Sequence, residues 1–127
     1  MLTRDNISCK ITVADNTTET PDVSVQFYGG SEETALAEAV VFQWFLTTDA
    51  TAQVLSTDGT DTSEIAIETN GAILVEDVTD VLGVAITEAT GLADFTVTVV
   101  TAKQAVLNVV MPNGKLEQSD VMTYTAG

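Results

Sequence analysis

An all-β sandwich of two antiparallel sheets is the fold this sequence predicts. Three observations carry that expectation. The stretch from Glu38 to Thr48 is dense in β-branched and aromatic residues, holds the only Trp and two of the four Phe, and has no charge between Glu38 and Asp49. Short runs of alternating apolar and polar residues recur along the chain, each bounded by a turn signal. No helical pattern of about 10–15 residues lies between them, which excludes parallel βαβ units.

Taken in order, Ile7 to Val13 alternates, with Ile7, Cys9, Ile11 and Val13 on one side. A polar loop with Pro21 follows, then a strand in which Val23, Val25 and Phe27 oppose Ser24, Gln26 and Tyr28. Gly29-Gly30 ends it. Ser31 to Ala37 suits a single helical turn capped by Ser31, with Leu36 available to plug the sandwich edge. The central strand comes next. Val40, Phe42, Trp44 and Leu46 share one face, and Val41, Gln43, Phe45 and Thr47 the other, so both faces carry bulk, as an interior strand requires.

Gln53 to Ser56 pairs briefly before the turn at Asp58-Gly59. Ile65 and Ile67 face inward from a short strand, with Glu64 and Glu68 outside. Asn70-Gly71 predicts a hairpin, because both positions tolerate positive φ, with Ala72 to Glu76 returning. Leu82, Val84 and Ile86 form a further strand, and Glu88 to Gly91 turns. Phe95, Val97 and Val99 alternate in the next strand, then Leu107, Val109 and Met111 against Val106, Asn108 and Val110. Pro112-Asn113-Gly114 turns the chain, and Lys115 to Glu117 and Val121 to Tyr124 complete eight to ten strands. Outward Thr and inward aliphatics predict sheets wet on one side.

At 127 residues the chain is read as a single domain, residues 1–127, with 1–6 as an N-terminal arm. No window approaches about 18 continuous apolar residues, so no membrane partner is expected. The first residues lack a signal-peptide core, and the lone Cys9 forms no internal disulfide; both suit folding in a cytoplasm. The net charge is -15, from 19 acids against the four bases Arg4, Lys10, Lys103 and Lys115. Phosphate contacts need Lys and Arg, so nucleic acid is excluded as a partner. An acidic surface otherwise serves solubility, a basic partner, or bound cations.

The chemistry of a catalyst is thin. Without His there is no imidazole triad, zinc site or imidazole acid–base catalyst. Cys9 lies on an apolar face and reads as a buried small hydrophobe. Gly29-Gly30 is followed by Ser-Glu-Glu, whose acids repel a phosphate. Two carboxylate pairs near turns, Asp58 with Asp61 and Asp77 with Asp80, are the candidates for glycosidase-type chemistry or for an irregular Ca²⁺ site. Capping of turn amides is the reading these residues favour over either. Trp44 is a candidate sugar platform, but its two-residue neighbours Phe42 and Leu46 read as core. The expectation is no enzyme, no catalytic residues, no cofactor and no metal.

Four stretches carry a resemblance. They are Val41-Phe-Gln-Trp-Phe-Leu-Thr-Thr-Asp-Ala-Thr51, Ile65-Ala-Ile-Glu-Thr-Asn-Gly-Ala-Ile-Leu74, Ile86-Thr-Glu-Ala-Thr-Gly91 and Val109-Val-Met-Pro-Asn-Gly-Lys-Leu116. In this order and spacing the chain resembles the small immunoglobulin-like structural proteins of tailed bacteriophages, over roughly Val40 to Ala126. It departs from them at Ala52, where Gly is commoner. The resemblance implies an immunoglobulin-like sandwich and a virion component assembled in the host cytoplasm. Within the particle it implies a capsid decoration or cement protein docked on the major capsid protein or other virion proteins, itself a homo-oligomer. A tail or neck accessory and a carbohydrate-binding or adhesin module are the alternatives. Bases near the two chain ends suggest a docking end there and an acidic outer end.

Overall fold

A computed structural model describes residues 7–29, 35–57 and 59–124. Among them the chain forms ten strands. They are β1 (Ile7–Ala14), β2 (Asp22–Gly29), β3 (Val41–Thr47), β4 (Thr62–Ile67), β5 (Ala72–Val78), β6 (Leu82–Ile86), β7 (Leu92–Val99), β8 (Gln104–Val110), β9 (Leu116–Gln118) and β10 (Met122–Thr123). All pair antiparallel. One sheet runs β1-β2-β7-β4, and the other β10-β8-β3-β6-β5 with β9 also on β8. Set the β5–β6 hairpin aside and these are the immunoglobulin orders A-B-E-D and G-F-C, with β3 as strand C. The hairpin extends the second sheet beyond C. The protein is therefore an immunoglobulin-like β-sandwich.

The core forms where the two inner faces meet. Val40, Phe42, Trp44 and Leu46 are all buried, as the alternation of the central strand requires. Phe42 and Trp44 reach across to Phe95 on β7, with ring centroids 6.2 and 6.4 Å away, and Phe42 meets Phe27 of β2 at 5.4 Å. These tilted and edge-on pairs lock one sheet onto the other. Leu36 is buried in the same cluster, and Ala35 bridges to Tyr28. The predicted helical turn and the N-terminal arm fall on residues 31–34 and 1–6, outside the described residues; 35–37 hold no helix.

One expectation needs correction. Asn70-Gly71 does not close a hairpin. β4 belongs to the first sheet, paired with β7, whereas β5 belongs to the second, paired with β6. The turn carries the chain across the sandwich. Its positive φ at Gly71, +91°, serves the crossing and not a two-residue return. Alternation alone leaves the facing of β6 open. Its large residues Leu82, Val84 and Ile86 face away from the core, and the residues turned inward are Gly83 and Ala85. Space beside the Trp44 ring requires small residues there.

Ser56 donates its amide to Leu46 O at 2.8 Å, and Leu55 bridges to Thr47, so the loop after β3 folds back along that strand. Within it Ala52 sits at φ 58°, in the left-handed region. That conformation costs an L-residue about 1–2 kcal/mol, against about 0.4–1 kcal/mol of unfolded-chain entropy that glycine would add. Ala52→Gly should therefore raise stability by about 0.5–1 kcal/mol, read from the urea midpoint at unchanged slope. No gain at all would mean the loop holds Ala52 in another conformation in solution.

Candidate functional site

The residues singled out as chemical candidates have structural occupations. Trp44 is 1% exposed, so its ring is core and not a sugar platform. Cys9 is buried; that burial, aided by the negative charge of Glu117, pushes its thiol up to about 12, and it stays protonated at neutral pH. Asp58 lies outside the described residues. Asp61 accepts the Thr57 amide at 3.0 Å. Asp80 accepts the Ile65 amide at 3.0 Å, and its backbone carbonyl takes the Thr62 hydroxyl at 3.3 Å, so it ties the β5–β6 turn to β4 across the sandwich. Asp77 is exposed on β5. Among the described residues no group of three or more His, Cys, Asp or Glu is placed to hold a metal ion.

Other carboxylates likewise staple turns. Asp94 takes the amides of Thr69 and Asn70 at 3.0 and 2.6 Å, and both of their side chains at 3.1 and 3.2 Å. Partial burial pushes its carboxyl up, but these four bonds outweigh burial and hold it below the ordinary 3.8. Nearby Glu68 is raised above 4.5, first by the charge of Asp22, then by desolvation, Asp94 and a hydrogen bond with Asp22. The two shifts act in opposite directions. Protonating Glu68 relieves repulsion, so stability should climb as pH falls from 7 towards about 4. Stability supplied by ionised Asp94 is present above its unfolded pKa and is lost as pH falls through its lower folded value. Asp94→Asn should cost about 1–2 kcal/mol at pH 7 and flatten that final acid limb, measured by urea unfolding at stepped pH. An unchanged acid limb in the variant would remove Asp94 from this role.

A different feature dominates the surface. Residues paired across an antiparallel ladder point to the same face. On the outer side of the second sheet, β3 presents Val41, Gln43, Phe45 and Thr47; β6 presents Leu82, Val84 and Ile86. β8 adds Val106, Asn108 and Val110, and β9 adds Leu116 and Gln118. β5 adds Ala72, Val75 and Val78. These rows contain no charged residue, in a chain with 23 charged side chains, 19 acidic and 4 basic. Asp77 borders the face, at a bulge of the edge strand.

Much of the face is open. Val41 is 50% exposed, Val75 48% and Leu116 44%. Two shallow recesses of about 320 and 280 Å³ flank Gln43, one lined by Phe45, Leu55, Leu82 and the Asp77 carboxylate, the other by Val41, Val84 and Val110. At the β8 end, Asn108 is buried, donating to Phe45 O, Thr47 Oγ1 and Val106 O and accepting from Gln118 Nε2 at 2.8 Å, which stiffens the surface. The first sheet differs. Its outer rows carry Lys10, Asp22, Glu64 and Asp94 among Ser, Thr and Gln. Lys103 and Lys115 flank β8 at opposite ends, and Arg4 lies outside the described residues.

Sequence reasoning saw the parts of this face without its meaning. The uncharged run around Trp44 and the Leu82-Val84-Ile86 alternation were both legible. That they adjoin, facing outward, depends on the β3–β6 pairing. No helix among the described residues is long and apolar enough to cross a membrane.

No family model matches the chain, and neither does any curated protein. Among solved structures it is similar to a GH20 exo-β-N-acetylglucosaminidase from Vibrio harveyi, crystallised with N-acetylglucosamine, at 10% identity and a TM-score of 0.36. The match covers 96% of this chain and 19% of that one, so the chain spans about a fifth of that enzyme's length. So distant a likeness carries no argument about activity.

Proposed function

We propose that this protein is a non-enzymatic structural component of a bacteriophage virion, a capsid decoration protein that docks on the major capsid protein lattice. The observation that carries the reading is the contrast between an uncharged apolar sheet face and an otherwise acidic sandwich whose turn carboxylates are engaged in backbone bonds. Such a molecule is equipped to assemble, and its acidic remainder keeps it soluble until it does. The ordered motifs shared with immunoglobulin-like phage proteins supply the particle as its setting. The burial of Trp44 removes the residue on which a sugar-binding reading rested.

Mass spectrometry of purified particles tests the proposal. Many copies per particle, retained in empty heads, are expected. Copies confined to tails would make it a tail or neck accessory, and absence from particles would overturn the virion role.

A further inference from the structure

The outer face of the second sheet is open over β3, β6, β5 and the Val110–Leu116 corner, whereas Thr47, Val106 and Asn108 at its β8 end are fully buried within the chain, and the composition of the open part selects its occupant. A basic protein would be drawn to carboxylates, yet the paired rows of this face bring none, and of its two recesses only one meets an acid, Asp77 on the edge strand. Two copies of a chain with net charge -15 repel each other wherever acidic surfaces meet. They can approach most closely where each brings a single carboxylate, Asp77 at the β5 side of the face. We propose that this face binds the same face of a second copy, in a two-fold, sheet-on-sheet dimer centred on Phe45 and Val84.

The open part is small but usable. Rows of five to seven residues at about 3.3 Å each, on β5, β6 and β3 about 4.8 Å apart, with the Val110–Leu116 corner, give a flat footprint of about 350 Å² per copy. The side-chain relief of a pleated surface raises this towards about 500 Å² per copy, the lower bound for a specific interface, so the dimer is a weak one. Two-fold symmetry needs a self-complementary patch, and rows of Val, Ile, Leu and Phe flanking Gln43 supply apolar ridges and recesses, with Asp77 at the edge of one recess. In the dimer the acidic first sheets face outward on both sides.

Sedimentation of the intact chain, with and without added salt, tests this separately from the virion reading, which particle composition decides. A dimer is expected with a dissociation constant in the range of about 1–100 μM, tightening as salt screens the repulsion between acidic rims. Val41→Lys and Leu116→Lys, at exposed positions on the face, should each leave a folded monomer by circular dichroism and weaken association at least about tenfold. Both substitutions reduce the net negative charge, which alone would favour association, so dissociation reports a charge placed in the interface. Thr98→Lys on the opposite sheet should leave the dimer intact. A monomer at about 100 μM in high salt, or a dimer indifferent to both face variants, would overturn the proposal.

Discussion

Trp44→Ala should lower the free energy of unfolding by about 3–5 kcal/mol, a large share of the about 5–15 kcal/mol that holds a domain of this kind together. The indole is the largest fully buried side chain and touches Phe95 of the facing sheet. Its removal opens a cavity between the sheets where a rigid pleated surface cannot collapse. Because Trp44 is the only Trp, the variant must be followed by far-ultraviolet circular dichroism in urea. Trp44→Phe provides the contrast. The buried indole nitrogen has no hydrogen-bond partner, so the smaller ring loses packing and no polar contact, about 1–2 kcal/mol. A cost below about 1 kcal/mol for the Ala variant would mean that the two sheets do not meet at this residue.

Gly83→Ala should be nearly as damaging, at about 3 kcal/mol, though it adds a single carbon. A Cβ at Gly83 would collide with the Val75 carbonyl and stand 3.0 Å from Glu76 Cα and 3.1 Å from Trp44 Cζ2. Two of those neighbours are backbone of the edge strand β5, which pairs with β6 through two bulges. The expected result is loss of stability together with faster amide exchange along Ala72–Val78, since β5 must move to accept the methyl. Stability within about 0.5 kcal/mol of the parent would show that β5 already sits farther out in solution.

The virion role and the dimer make separate demands on the same architecture. A decoration protein needs a surface that meets a lattice, and a dimer needs one that meets itself. The uncharged face is assigned to the second copy because like charge forbids that contact elsewhere. The uncharged face thus serves the virion reading by pairing copies, and the acidic sheet and the sandwich ends of that pair are what meets capsid partners.

How much of this was legible in the sequence varies with the range of the interaction. Alternation in Val40-Phe42-Trp44-Leu46 fixes which side of a strand is apolar, because the period of two is a property of the strand itself. The same holds for β1, β2 and β7, and for the turns at Gly91 and Gly114, whose positive φ glycine tolerates at little cost. Asn70-Gly71 was misread because its local geometry suits a hairpin and a crossing alike. What separates them is the partner of the following strand, and Ala72–Val78 finds β6.

Local periodicity and composition suffice for the all-β class, the central strand, its buried Trp and the acidic balance of the surface. Strand pairing sets the rest: that β4 and β5 part between sheets, that the bulk of β6 faces outward because Trp44 occupies the space inside, and that uncharged rows from five strands merge into one surface. Those outcomes depend on which strands pair and in what register. That choice is made by long-range packing between residues distant in the chain.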